Sequence, residues 1–199
     1  GPYRVESERW WDFRGELENF TVAGLNVTDI RLSDGRVIRD PCAEAGREVF
    51  FLVLQVEGVS RMCQRGEEAV LQPGDCTLID SRWASVFHLG NGVRHYSFNF
   101  SAERIRSRFG DPSHLVCRRI SGSSGAGVIL VELLRSVVRN AATLQSADLA
   151  DTTLHLLAAV CGGFKKTPVN FKVERPMVSS REITDYVDAH ADDPKLTPQ

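Results

Sequence analysis

Between Gly24 and Phe100 the chain changes direction about every ten residues, and this spacing of turn signals limits the possible folds more than any other feature. Val49 to Glu57, VFFLVLQVE, is rich in β-branched and aromatic residues and stops at Gly58. It is apolar almost throughout, the pattern of a strand covered on both faces. Val59 to Gln64, an Arg65-Gly66 turn and Glu68 to Gln72 read as a hairpin. Pro73-Gly74-Asp75 turns the chain into Cys76 to Asp80, and Ala84 to Leu89 leads through Gly90-Asn91-Gly92 into Val93 to Phe100. Gly24 to Leu32 and Arg36 to Arg39 flank Ser33-Asp34-Gly35 as another hairpin. So many short strands predict a small antiparallel barrel or sandwich, whose closed interior is a natural ligand cavity.

The period changes near residue 101. Ser101 is placed to cap a short helix through Phe109, which Gly110-Asp111-Pro112 would end. Ser121 to Gly127, SGSSGAG, lacks the Gly-Lys-Ser/Thr of a phosphate loop and reads as a loop before a helix. Ile129, Leu130, Leu133, Leu134, Val137, Val138 and Ala141 recur at helical spacing, as do Leu149, Leu156, Leu157 and Val160 after a break. Two antiparallel helices are therefore expected. Their apolar faces suit either packing on the barrel or burial against a second copy, and a homodimer through residues 128–160, sensitive to Leu157, is the expectation.

Composition shifts again at the linker, where two prolines accompany three of the four lysines, Lys165, Lys166 and Lys172. Ser179 to Glu182 is a capping box opening a helix with Ile183, Tyr186 and Val187 on its buried stripe. Thr197-Pro198 then supplies an N-cap and the proline favoured at the first helical position. One helix and the start of another cannot make a core, so the chain is expected to stop inside a further domain. Its 24 basic against 26 acidic residues, a net charge of −2, exclude this stretch as a nucleic-acid grip by itself. No apolar run is long enough to span a membrane, and an N-terminus bearing Arg4, Glu6, Glu8 and Arg9 is no signal peptide, so a cytoplasmic location is expected. Gly1-Pro2 reads as a processing scar. Cys42, Cys63, Cys76, Cys117 and Cys161 are odd in number and form no C-x-x-C pair, as reduced structural thiols would be.

The chemistry-bearing residues point to binding rather than catalysis. A metal-holding barrel needs His-x-His and a Glu from one strand pair plus a further His, yet Val59 to Glu68 contains no histidine. Only His88 and His95 fall on neighbouring strands, so no metal is expected, and neither a nucleophile elbow nor GxGxxG is present. What remains is a cavity with polar handles. Val93 to Phe100 alternates, with His95, Ser97 and Asn99 on one face and Arg94, Tyr96, Phe98 and Phe100 on the other, and the sequence leaves open which face is inward. Trp83, after the Asp80-Ser81-Arg82 turn, suits either a stacking position at the barrel mouth or a place over the core. Trp10, Trp11 and Phe13 suit an N-terminal arm or helix across the barrel, and Arg39 could pair with a carboxylate.

Gly58, Leu71-Gln72-Pro73-Gly74-Asp75, Leu78-Ile79-Asp80-Ser81-Arg82 and Tyr96-Ser97-Phe98-Asn99-Phe100 followed by Arg104 resemble the cupin-like regulatory domain of AraC/XylS-type transcriptional activators. Ile183-Thr184-Asp185-Tyr186-Val187-Asp188-Ala189-His190, Asp193-Pro194 and Leu196-Thr197 are similar to the opening of that family's double helix-turn-helix domain. The resemblance implies an α+β chain: a cupin-like (jelly-roll) antiparallel β-barrel with an N-terminal arm over 1–120 and an antiparallel helical hairpin for dimerisation over 121–163. A linker over 164–178 and a truncated helix-turn-helix start over 179–199 would follow. It further implies a small-molecule effector that controls DNA binding and activation through a C-terminal domain absent here, with no cofactor and no enzymatic activity. The expected ligand-binding residues are Trp83, His95, Ser97, Phe51, Val53, Arg39 and Trp11, with His95 and Ser97 inward. Trp83 stands where a proline is common and Ser97 where a sugar-binding member has an indole, which argues against a sugar. The WWDFRGELENF opening and the DSR turn look more like the FeaR-like branch for aromatic-amine catabolism, giving an aromatic amine, aldehyde or acid as the expected effector. Asp80 or Glu48 would partner an amine, and Arg39 or Arg94 an acid. A metal-dependent cupin enzyme and a ligand-free dimerisation barrel stay open as alternatives.

Overall fold

A computed structural model describes residues 3–6, 13–41, 48–90, 92–144 and 148–162. Trp10, Trp11, Cys42, the expected linker and the expected helix-turn-helix start lie outside these residues.

Among the described residues ten strands are formed: β1 (Tyr3–Glu6), β2 (Gly15–Val22), β3 (Leu25–Leu32), β4 (Gly35–Arg39), β5 (Val49–Glu57), β6 (Ser60–Gln64), β7 (Glu67–Leu71), β8 (Cys76–Asp80), β9 (Ser85–Leu89) and β10 (Val93–Ser101). They build two five-stranded antiparallel sheets, in the orders β1-β4-β9-β6-β7 and β2-β3-β10-β5-β8. The two-residue turns Ala23-Gly24 and Arg65-Gly66 hold positive φ at both positions, the backbone that tight hairpins between twisted strands require. Helices α1 (Ala102–Phe109), α2 (Gly125–Arg139) and α3 (Ala150–Cys161) follow, with a 3₁₀ turn at Pro112–Leu115. The Ser101 side chain caps α1 as expected, accepting from Arg104 N at 3.3 Å. This is the α+β, cupin-like arrangement that the family resemblance implied, with the antiparallel strands and later helices that the turn spacing and helical period predicted.

One expected hairpin is corrected. At Ser33-Asp34-Gly35 the chain changes sheets: β3 pairs with β2 and β10, whereas β4 pairs with β1 and β9. Ser33 N donates to Arg14 O, and Arg14 N donates to Ser33 Oγ, both at 2.9 Å. The second sheet thus ends at Ser33, and Leu32 and Val37 meet the same interior from opposite sheets. Strands β1 and β2 were not legible in sequence, because as sheet edges they are largely exposed and lack a buried alternation.

Strand β5 is covered on both faces, as its composition requires. Phe50, Leu52 and Leu54 face outward with Phe98 and Phe100, in one core with Leu130, Leu134, Leu154 and Leu157 of α2 and α3. The alternate residues Phe51 and Val53 face the interior between the sheets. The helices therefore decide which side of β10 points inward: they cover its phenylalanines and leave His95 and Ser97 to the cavity. Cys76, Cys117 and Cys161 are buried and unpaired, and desolvation pushes their thiols up, Cys117 and Cys161 to about 12. Inert structural thiols fit that environment.

Candidate functional site

The interior holds a cavity of about 460 Å³, within the usual range for small-ligand sites. Its walls alternate between the two sheets. Val37, Met62, Phe87 and Leu89 come from the first, and Ile30, Leu32, Phe51, Val53 and Ile79 from the second. Tyr3, Val5 and Leu17 both line it and reach solvent, so they form its rim. Of the expected ligand residues, Arg39, Phe51, Val53, His95 and Ser97 are brought together here. Trp83, 44% exposed, is not among the residues lining this cavity and lies beneath the Arg65 guanidinium, whose carbon is 4.7 Å from the ring centroid. Trp11 is outside the described residues.

Arg39 is the only charged residue among the described residues of this lining and is 2% exposed. Its Nη1 and Nη2 both donate to Ser81 O at 3.2 Å, and its guanidinium carbon stands 5.0 Å from the Phe51 ring centroid. Ser81 is fixed in turn, with its N donating to Val49 O at 2.9 Å and its Oγ accepting from Val49 N at 2.8 Å. The Asp80-Ser81-Arg82 turn thus positions Arg39, a role invisible in the sequence. Arg39 Nε has no partner, and no carboxylate pairs with Arg39 among the described residues.

Other arginines show what that free edge accepts. Arg82 grips Asp80 through Nε to Oδ1 at 3.1 Å and Nη2 to Oδ2 at 2.6 Å, and Arg94 grips Asp29 through Nε at 3.0 Å and Nη2 at 2.8 Å. Arg119 holds Asp75 in the same way, at 2.8 and 3.2 Å. Each presents the Nε–Nη2 edge to both oxygens of one carboxylate, the bidentate geometry that suits guanidinium best. The charges that an amine or a second anion might have used are therefore engaged elsewhere. Asp80 is bound to Arg82, Glu48 to Arg106 at 2.7 Å, and Arg94 to Asp29, and none of them lines the cavity.

His95 is 7% exposed, and its Nδ1 lacks a partner. Burial pulls its imidazole down to about 4, only weakly opposed by the Asp29 carboxylate, so at neutral pH it is an uncharged hydrogen-bonding group. In the unfolded chain the same ring titrates at its ordinary value near 6.5. Below pH 6.5 the unfolded state gains a proton that the folded state refuses, so this stability is complete above pH 6.5 and is lost as the pH falls towards 4. A pH series of melting curves is expected to show the wild type losing about 3 kcal/mol more than His95→Leu between pH 7 and 4. Parallel curves would mean that the ring is not buried as described.

No group of three His, Cys, Asp or Glu side chains able to hold a metal occurs among the described residues. No described helix is long and apolar enough to cross a membrane.

The fold has known counterparts. The crystal structure of the AraC-like transcriptional activator CuxR matches with a TM-score of 0.70 at 12% identity, over 98% of this chain and 72% of that one. A Cupin_2 domain of an XRE family transcriptional regulator from Enterobacter cloacae is 18% identical, with a TM-score of 0.36, over 44% of this chain and 94% of that one. A Bacillus sp. (strain OxB-1) protein described as an uncharacterized protein in the nit 5′ region is 27% identical over 195 residues, 94% of this chain and 74% of its own. The model of the AraC-binding-like domain matches residues 1–162, which span all ten strands and all three helices. The two sheets, the cavity between them and that match lead to one assignment: this chain belongs to the AraC-binding-like domain family, the cupin-like effector-binding domains of AraC-type regulators.

Proposed function

We propose that this domain senses a small, mostly apolar carboxylic acid, held by its carboxylate at Arg39. The observation that carries this reading is the free Nε of a buried guanidinium in an otherwise uncharged, apolar cavity. A desolvated cation without a counter-ion is costly, and a ligand carboxylate supplies that counter-ion together with paired hydrogen bonds. Among an aromatic amine, aldehyde and acid, the acid is the one whose charge complements the lining. Phe51 and Phe87 offer faces for an aromatic body, and Val37, Val53, Met62 and Ile79 fill the space around it.

Occupancy would act on transcription in the cytoplasm through a C-terminal DNA-binding domain, whose start we assign to residues 179–199. A homodimer through α2 and α3 would pair two such domains. A ligand that binds only the folded state must raise its melting temperature. At about one hundred times Kd, phenylacetate or a longer arylalkanoate is expected to raise it by about 5–10 °C, whereas phenylethylamine leaves it unchanged. A shift with the amine alone would overturn the acid assignment, and no shift with any acid, aldehyde or amine would favour a ligand-free dimerisation barrel.

A further inference from the structure

We propose that the preferred acid carries a second, uncharged hydrogen-bonding group at its far end, with Ser85 completing the carboxylate seat and His95 reading the distal group. This inference rests on the carboxylate reading above and narrows its ligand class to bipolar acids, such as hydroxylated arylalkanoates. Among the described residues, three buried side-chain polar atoms lack a partner: Arg39 Nε, Ser85 Oγ and His95 Nδ1. Arg39 and His95 line the cavity, and Ser85 is the ladder partner of Arg39 at its wall; a buried polar atom left without a partner is unfavourable, so these atoms mark where ligand atoms belong.

Their placement separates them into a head and a tail. Arg39 and Ser85 are direct partners in the β4–β9 ladder, so their side chains rise on the same inward face with Cβ atoms about 5 Å apart. A carboxylate at the Arg39 edge has lone pairs to spare, and the Ser85 hydroxyl can donate to one of them. Gln64, on the other side of Ser85, is already committed, donating to Asp80 O at 2.8 Å and to Trp83 O at 3.1 Å. His95 stands at the opposite end. The Arg39 guanidinium lies over Phe51, whereas His95 is paired with Gln55, four residues farther along β5. Four residues of strand span about 13 Å. Val53 and Ser97 lie between them. Because the ring at the far end is neutral and Arg39 is the sole charge among the described lining residues, an uncharged distal group fits best; a phenol or an alcohol suits it better than a second carboxylate.

Calorimetry on the 199-residue chain with 3-phenylpropanoate and 3-(4-hydroxyphenyl)propanoate tests this directly. In the wild type the hydroxylated acid should bind about tenfold more tightly, as expected for satisfying a buried orphan. In His95→Leu that preference should fall to within about twofold, and in His95→Gln, which keeps a hydrogen-bonding side chain, part of it should return. Ser85→Ala should weaken both acids by a similar factor of about five and leave their ratio unchanged. Equal wild-type affinities, or a hydroxyl preference that survives His95→Leu, would overturn the bipolar ligand while leaving the carboxylate reading intact. The wild-type pair needs no variant to fold. If neither acid binds, the carboxylate reading itself fails, and this inference with it.

Discussion

Arg39→Met is expected to weaken binding of an arylalkanoate by more than about 100-fold while the domain stays folded. The methionine keeps much of the apolar contact with Phe51 but removes the donors that would hold the carboxylate, and a carboxylate left in an apolar cavity without a counter-charge is strongly disfavoured. Arg39→Lys should recover only a small part of the affinity. A lysine keeps the charge but cannot fork around Ser81 O and still present a flat two-donor edge, the edge that Arg82, Arg94 and Arg119 give to their aspartates. Isothermal calorimetry gives the affinities, and circular dichroism checks the fold. A folded Arg39→Met that binds the acid with wild-type affinity would remove Arg39 from the site.

Leu157→Asp, which in sequence looks like a probe of dimerisation, is expected to unfold the domain. Leu157 is 0% exposed, in the core formed by α2, α3 and the outer face of the second sheet. An aspartate there would be a buried charge without a partner, so a loss of about 4 kcal/mol or more is expected in urea titrations. The homodimer we propose through these helices must instead use the residues they leave outside. Ile129, 59% exposed, and its neighbour Val128 are the large apolar residues that α2 presents to solvent. Ile129→Glu should therefore leave the melting temperature of the monomeric fold nearly unchanged while converting a dimer to a monomer in light scattering at tens of micromolar. If Ile129→Glu remains dimeric, that end of α2 is not the contact. If Leu157→Asp folds normally, the helices do not pack as described.

These two helical positions illustrate how much was legible in advance. Local chemistry was legible: Arg65-Gly66 as a hairpin turn, Ser101 as a helix cap, and apolar residues at helical spacing along α2 all rest on interactions within a few residues. The strand count was incomplete, because edge strands such as β2 bury too little to impose alternation on their sequence. Ser33-Asp34-Gly35 has the composition of a hairpin turn, yet the strands it joins belong to different sheets, and pairing partners up to 73 residues away made that choice. Trp83 looked like a ligand stacker because large aromatic rings suit pockets, but its ring lies under Arg65, outside the cavity.

The sequence by itself determined that this chain would alternate short strands and tight turns before turning helical, and it supplied the residues on which the family resemblance rests. Those features depend on side-chain period and turn chemistry, which act over a few bonds. Only the tertiary structure decided which face of β10 is inward: one face carries His95, Ser97 and Asn99, the other sets Arg94 among Tyr96, Phe98 and Phe100, and the covering helices made the choice. It alone also decided which charges remain available. Asp80 is taken by a neighbour two residues on and Asp29 by an arginine sixty-five residues away, while Arg39, anchored only to a carbonyl, keeps its Nε unpaired inside the cavity. Pairing of buried charges is settled by distances across the fold, and no local pattern encodes it.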